Sequence, residues 1–136
     1  MGGMNQVSNR KMVWAYSGKK PISIQKAEKE RILDIVEKEI ERTEKVKQKT
    51  SRMEIRAGRI YIYELYEPMQ MEGVVYTKPL VDGKYLEIPF MRITIYNKGY
   101  TDCTLDYQRY NDQWMTIDSG TLTECIEKAE NSEWFE

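Results

Sequence analysis

The first regular pattern along the chain is a stripe of apolar residues at helical spacing. Its members are Ile24, Ala27, Ile32, Leu33, Ile35, Val36, Ile40 and Val46. Most positions between them are Glu, Lys or Arg, as on the solvent face of an amphipathic helix. Ser23 stands just before the stripe, where its hydroxyl can cap the first turn. The pattern predicts one long helix from about Ile24 to about Lys49.

The next part of the chain changes to the two-residue period of β-strands. Strands are predicted at 52–56, 59–67, 74–76, 90–96, 100–109 and 113–117. Ala57-Gly58 and Asp82-Gly83 supply residues that tight hairpin turns favour. The alternation places Phe90 and Met91 on opposite sides of their strand. In the strand 100–109 it predicts that Asp106 lies on the solvent-exposed side.

The last stretch predicts a short helix. Thr121 and Glu124 stand three apart, as in a capping box, and Leu122 begins an apolar stripe. Trp134 and Phe135 follow and are expected to close an edge of the core. The predicted fold class is therefore α+β: two layers, with an antiparallel β meander of about five to six strands. A long N-terminal helix and a short C-terminal helix lie on one face.

The chain can be divided by its predicted order and, at a different position, by its charge. Residues 1–22 are predicted to be a basic, weakly ordered N-terminal arm, and residues 23–136 a single α+β domain. Residues 1–52 carry 13 Lys plus Arg against 7 Asp plus Glu (13 − 7 = +6), and residues 53–136 carry 8 against 15 (8 − 15 = −7). This asymmetry suits either neutralisation between helix and sheet or docking of a charged partner.

Composition excludes several kinds of site. The chain has no histidine, so Ser-His-Asp and Cys-His catalysis and imidazole metal sites are excluded. The two cysteines, Cys103 and Cys125, alternate with apolar residues and are predicted to be buried thiols. We therefore expect no catalytic residue, no cofactor and no metal. The sequence has neither an apolar run of membrane-spanning length nor a signal-peptide core, which predicts a cytoplasmic protein without a membrane partner.

Most of the chain, from Ile24 to Phe135, resembles a known family, and the stretch from Pro89 onward carries most of the resemblance. The stretches "PFMRITIYNKGYTDCTLDYQRYNDQWMTI" and "LTECIEKAENSEWF" are similar to an uncharacterised prokaryotic family, the domain of unknown function numbered three thousand and twenty-four. The matching positions are Gly58, Glu64, Pro89, Arg92, Tyr107, Gln108, Arg109, Trp114 and Phe135. The chain departs from the family pattern at Glu67 and Met115, where the family often has Arg and His, and it carries an insertion at 69–87. The resemblance implies an N-terminal helix, a strand meander and a terminal helix, but no activity.

The surface residues favour recognition over catalysis. Tyr, Trp, Met and Arg are enriched in the cores of interfaces, and this chain has ten Tyr, three Trp and eight Met. We therefore predict a small non-enzymatic module that binds a protein partner, or a second copy of itself, through an aromatic sheet face and the arm. The alternative is nucleic-acid binding through the basic arm and a Tyr/Arg sheet surface. The candidate binding residues are Trp14, Tyr16, Lys19, Lys20, Arg92, Tyr96, Arg109 and Tyr110.

Overall fold

The described structure is a five-stranded meander, with helices before and after it in the chain. The structure is a computed structural model, and it describes residues 19–67, 80–109 and 112–135. The elements are α1 (Lys26–Glu41), α2 (Lys45–Lys49), β1 (Arg52–Arg56), β2 (Arg59–Tyr66), β3 (Leu86–Ile95), β4 (Cys103–Gln108), β5 (Trp114–Gly120), α3 (Leu122–Glu130) and a 3-10 turn (Glu133–Phe135). Within those residues the strands form one antiparallel sheet in chain order, β1-β2-β3-β4-β5. The predicted α+β class with an antiparallel sheet is confirmed.

The core lies between the helices and one side of the sheet. Ile32, Val36 and Ile40 of α1 are buried against the alternate apolar residues of the strands, such as Ile93 and Leu105. The other side of the sheet is called the second face here. Its residues are Arg52, Glu54, Arg56, Arg59, Tyr61, Tyr63, Leu65, Glu87, Pro89, Arg92, Thr94, Tyr96, Asp102, Thr104, Asp106, Gln108, Trp114, Thr116 and Ser119. The strand period therefore separates an apolar layer from a polar and aromatic one.

The prediction of one helix from Ile24 to Lys49 is wrong. The chain turns after α1, where the Thr43 hydroxyl donates a hydrogen bond to the Ile40 carbonyl at 2.6 Å. A new helix, α2, then begins beneath the Glu130 carboxylate, which accepts backbone N–H groups of residues 44, 45 and 46 at 3.1, 3.0 and 2.9 Å. A carboxylate 84 to 86 positions away thus satisfies the free donors of a helix start. Apolar spacing within the segment carries no sign of that contact.

Two local predictions also need correction. α1 begins at Lys26 with Gln25 as its N-cap and no capping side chain, so Ser23 does not cap it. Phe90 does not lie opposite Met91, because the pairing of β2 with β3 shifts at this point and leaves Phe90 as an extra residue. Its ring enters the core, 6.1 Å from the Phe135 ring in an edge-to-face contact.

The turns and the last helix agree with their sequence signals. Ala57-Gly58 (φ 48° and 79°) joins β1 to β2, and Asp82-Gly83 (φ 52° and 74°) lies inside a bridge between residues 81 and 85. Thr121 and Glu124 form the predicted capping box of α3. Of the terminal aromatic pair, Phe135 is buried (2% exposed), whereas Trp134 is 49% exposed and packs on Tyr107 with ring centroids 5.0 Å apart. The predicted strand at 74–76 lies outside the described residues.

Both cysteines are buried free thiols, as predicted. Burial raises the pKa of Cys103 to about 12, and the nearby Asp102 carboxylate acts in the same direction. Burial likewise raises the pKa of Cys125 to about 12. Both thiols therefore stay protonated at neutral pH and serve as small apolar core groups.

Candidate functional site in the second sheet face

The second face is organised in rows that run across the strands. Strand pairing aligns Glu54, Tyr61, Arg92, Asp106 and Thr116 in one row, with one residue from each strand. The neighbouring row contains Arg56, Arg59, Thr94, Thr104 and Ser119. Side chains on adjacent strands lie close enough to interact directly, so each row forms a continuous polar strip.

A carboxylate occupies the centre of this face. Asp106 is 1% exposed and accepts hydrogen bonds from Arg92 Nε at 2.8 Å and from the hydroxyls of Thr94 and Thr116 at 2.9 Å each. Its position on the side away from the core was predicted correctly, but the expectation that it would be solvated is wrong. Because its three donors come from β3 and β5, this carboxylate of β4 holds the last three strands of the sheet together on this face.

Guanidinium groups stack on aromatic rings beside this carboxylate. The Arg92 guanidinium carbon lies 4.7 Å from the Trp114 ring centroid and 6.0 Å from that of Tyr61. The Arg56 guanidinium carbon lies 4.2 Å from the Tyr61 ring centroid. The rings of Tyr61 and Trp114 meet edge to face, with their centroids 5.9 Å apart. Arg92 is 17% exposed along its side chain. Such stacks give a face rigid aromatic and cationic groups in one place.

Most cations of the second face have an acidic partner. The pairs are Arg52 with Glu87 (2.8 and 3.0 Å), Arg56 with Glu54 (3.0 Å), Arg92 with Asp106 (2.8 Å), and Lys19 with Asp102. The Tyr63 hydroxyl also donates to Glu54 at 2.8 Å. This hydrogen bond, with the nearby guanidinium groups of Arg56 and Arg52, lowers the pKa of Glu54 against the opposing effect of burial. Among the described residues, every cation of the face thus has an acidic partner, with a single exception.

That exception is Arg59. It is half-buried, and within the described residues no carboxylate lies within ion-pair distance of it. Its Nε is closed to water and has no hydrogen-bond partner, and the same is true of Thr104 Oγ1 in the same row. These are the two buried side-chain polar atoms without a partner among the described residues.

The structure places the predicted binding residues at different points. Lys19 and Tyr96 come together at one end of the second face, with the ammonium nitrogen 5.5 Å from the ring centroid. Arg92 belongs to the central carboxylate network. Lys20 is exposed, and Arg109 is exposed after the last residue of β4, with its N–H donating to the Gln113 carbonyl at 2.7 Å. Trp14, Tyr16 and Tyr110 lie outside the described residues.

Sequence reasoning missed most of the groups that distinguish this face. Tyr61 and Trp114 were not named as site residues, nor was Arg59 or Thr104. Their alternation was visible, but the order of the strands was needed to show which of them are neighbours. Chain-order pairing of a meander supplies that order and could have been used to find the rows.

Other parts of the described surface offer less specific chemistry. An open groove of about 800 Å³ between β5 and α3 is lined by ten residues, four of them acidic, with Lys128 paired to Asp118 at 3.2 Å. No buried polar side-chain atom that lines it lacks a partner in the described ranges. None of the helices described combines the length and the apolar character needed to cross a membrane. Residues 19–67, 80–109 and 112–135 contain no cluster of three or more Cys, Asp or Glu suited to hold a metal ion.

Comparison of the chain with protein-family models, with curated proteins and with solved structures finds no match. The resemblance to the uncharacterised prokaryotic family therefore stays a prediction. The chemistry of the second face has to carry the functional interpretation.

Proposed function

We propose that this protein is a small non-enzymatic binding module that recognises a protein partner, or a second copy of itself, through the second face. The observation that carries the proposal is the cluster of Tyr61, Arg92 and Trp114, stacked on the side of the sheet away from α1, α2 and α3. The N-terminal arm, with Trp14 and Tyr16, is proposed to contribute to the same surface.

The cluster has the composition of an interface hot spot. Trp, Tyr and Arg dominate the residues whose truncation weakens protein complexes most. Here they are held in place before binding, because Asp106 fixes the Arg92 guanidinium and the two rings pack on it. A preorganised group loses less side-chain entropy when a partner arrives, which strengthens binding.

The arm has a fixed point of attachment to this face. Lys19 pairs with Asp102 and lies over the Tyr96 ring, and both of those residues belong to the second face. Ile22 then donates its N–H to the Ile95 carbonyl at 2.9 Å. Trp14 and Tyr16 stand three to five residues before Lys19, so they are close enough in the chain to act on the same surface.

Photo-crosslinking from two positions tests the proposal. A benzoylphenylalanine replaces Ser119, an exposed residue of the second face, or Glu30, an exposed residue of α1, in the full chain expressed in its native host. We expect adducts from position 119 and not from position 30, with sedimentation analysis showing whether the adduct is a dimer. Equal adducts from both positions, or none from position 119 together with a monomer in solution, would contradict the proposal.

Nucleic-acid binding is the second candidate, and the stacked guanidinium groups favour it. Arg56 and Arg92 on aromatic rings resemble the cationic and aromatic surfaces on which single strands bind. The test is fluorescence anisotropy with labelled single- and double-stranded oligonucleotides at about 50 and about 200 mM salt, a range over which several phosphate contacts change affinity by orders of magnitude. Tight, salt-sensitive binding would favour this candidate. Absence of binding at the lower salt would set it aside.

A further inference from the structure

The surroundings of the Arg59 guanidinium do not stabilise the free protein. It lies directly opposite Arg56 across the β1–β2 hairpin, and like charges in that relation repel each other. Arg56 is compensated by Glu54, at 3.0 Å, but Arg59 has no acidic partner in the described part of the chain. A half-buried guanidinium is ordinarily paired, because a charge removed from water without compensation raises the free energy of the fold.

Two unpaired polar atoms add to this cost. Arg59 Nε can only donate a hydrogen bond, and Thr104 Oγ1 can both donate and accept. Both are closed to water and unpaired, although the other buried side-chain polar atoms of the described residues have partners. The two residues are separated by one strand in the same row, with Thr94 between them, and the Thr94 hydroxyl is already bonded to Asp106. Within the described residues, no group of the row forms a hydrogen bond with either atom.

We propose that Arg59 and Thr104 form the anchoring site for a carboxylate of an acidic protein segment, which would make the partner of the second face an acidic one. This inference rests on the proposed function and names the chemistry of the partner. A carboxylate has two oxygens, so one can accept from Arg59 while the other accepts from the Thr104 hydroxyl. Arg59 is half-buried rather than fully buried, so part of its side chain faces water and offers an approach. Neighbouring side-chain ends must shift for the carboxylate to reach both atoms.

Charge favours a carboxylate over a nucleic-acid backbone. The second face has one unmatched cation, because the other guanidinium groups and Lys19 already have acidic partners. One surplus charge and one hydroxyl match a single carboxylate. A phosphate chain requires several free cations along its path, and the carboxylates of the face would repel it. The arm cannot supply the missing acid, because residues 1–18 contain no Asp or Glu.

The test is a titration of the full chain with N-acetylated hexaglutamate, followed through the arginine Nε–Hε signals in nuclear magnetic resonance spectra. We expect saturable movement of the Arg59 signal. Arg59→Gln should weaken binding at least about tenfold, the loss expected for one charge-assisted hydrogen bond. Arg42→Gln is the matched control, since it removes an equal charge from an exposed residue at the end of α1, outside the second face, and it should weaken binding less than about threefold.

Three outcomes of this titration would overturn the carboxylate site. The first is absence of movement up to about 10 mM peptide, which is weaker than a specific anchor would give. The second is an equal loss in the two arginine variants, which would indicate general charge attraction. The third is an equal response to a hexathymidylate probe that disappears in Arg59→Gln, which would assign the site to phosphate. Adducts from position 119 without a hexaglutamate response would support the second face as a binding face and contradict only the carboxylate site.

Thr104→Val provides a second measurement that does not depend on the probe. This variant keeps the shape of the side chain and removes a hydroxyl that has no partner in the free protein. We expect an equal or higher melting temperature, together with weaker hexaglutamate binding, because removal of an unsatisfied polar group does not cost stability. A clear fall in melting temperature would show that the hydroxyl is already bonded in the free protein, and would overturn the proposal.

Discussion

Replacement of Asp106 by Asn is expected to destabilise the protein strongly although almost no volume changes. The variant removes the charge that compensates Arg92, whose side chain is 17% exposed. Removing one partner of a buried ion pair costs about 3–5 kcal/mol. Thr94 and Thr116 donate to different oxygens of Asp106, so the Asn oxygen can accept from one hydroxyl while its amide N–H groups can donate to the other. Arg92 retains some contact with water. We therefore expect a loss at or just below the lower end of that range, about 2–3 kcal/mol in the free energy of unfolding.

Urea denaturation of the full chain measures this loss. Asp118→Asn is the matched control, because that carboxylate is 45% exposed and paired with Lys128 on the surface. The control should lose less than about 1 kcal/mol, as exposed ion pairs do. A double variant, Arg92→Met with Asp106→Leu, should recover part of the loss, since no charge is left unpaired. A loss below about 1 kcal/mol for Asp106→Asn would refute the view that this carboxylate organises the second face.

Three further predictions concern the turns, the thiols and the capping of α2. Gly83→Ala should lower the free energy of unfolding by about 1–2 kcal/mol because of its positive φ. Gly58→Ala should lower it clearly more, because its new Cβ would lie 2.4 Å from the Ile22 carbonyl oxygen. Equal losses of the two variants in urea denaturation would contradict this. Cys103 and Cys125 should resist iodoacetamide in the folded protein and react after unfolding, since burial raises the pKa of both to about 12. Rapid labelling of the folded protein would contradict this prediction. For Glu130, burial raises the pKa but the backbone N–H groups of α2 together lower it below the ordinary carboxyl value. Stability should therefore fall as the pH drops from the ordinary carboxyl pKa toward the lower pKa of the folded state, and the stability of Glu130→Gln should fall less over that range.

The fold could be predicted from the sequence wherever a signal is local. Gly58 and Gly83 mark turns because their backbone takes a positive φ, and the capping box of Thr121 and Glu124 is contained within four residues. Alternation also separated Cys103 and Leu105 from Asp106 correctly. Each of these signals depends on neighbours in the chain, which the sequence shows directly.

The rest depended on contacts between distant residues. The break between α1 and α2 is stabilised by Glu130, and the inward turn of Phe90 comes from an irregularity in strand pairing. Asp106 looked like a solvated residue because its three donors come from β3 and β5. The unpaired state of Arg59 is likewise a property of the whole face, since it can be recognised only when the other pairs are known.

Crosslinking from position 119 in three backgrounds tests the central claim most directly. Benzoylphenylalanine at Ser119 is combined with the unchanged chain, with Arg59→Gln and with Arg42→Gln, which removes an exposed charge outside the second face. The proposed binding face and its anchor predict a protein adduct in the unchanged chain and in Arg42→Gln, and a yield at least about tenfold lower in Arg59→Gln. Equal yields in all three would contradict the assignment of Arg59 as the anchor. The absence of any adduct, with a monomer in solution, would contradict the binding face itself.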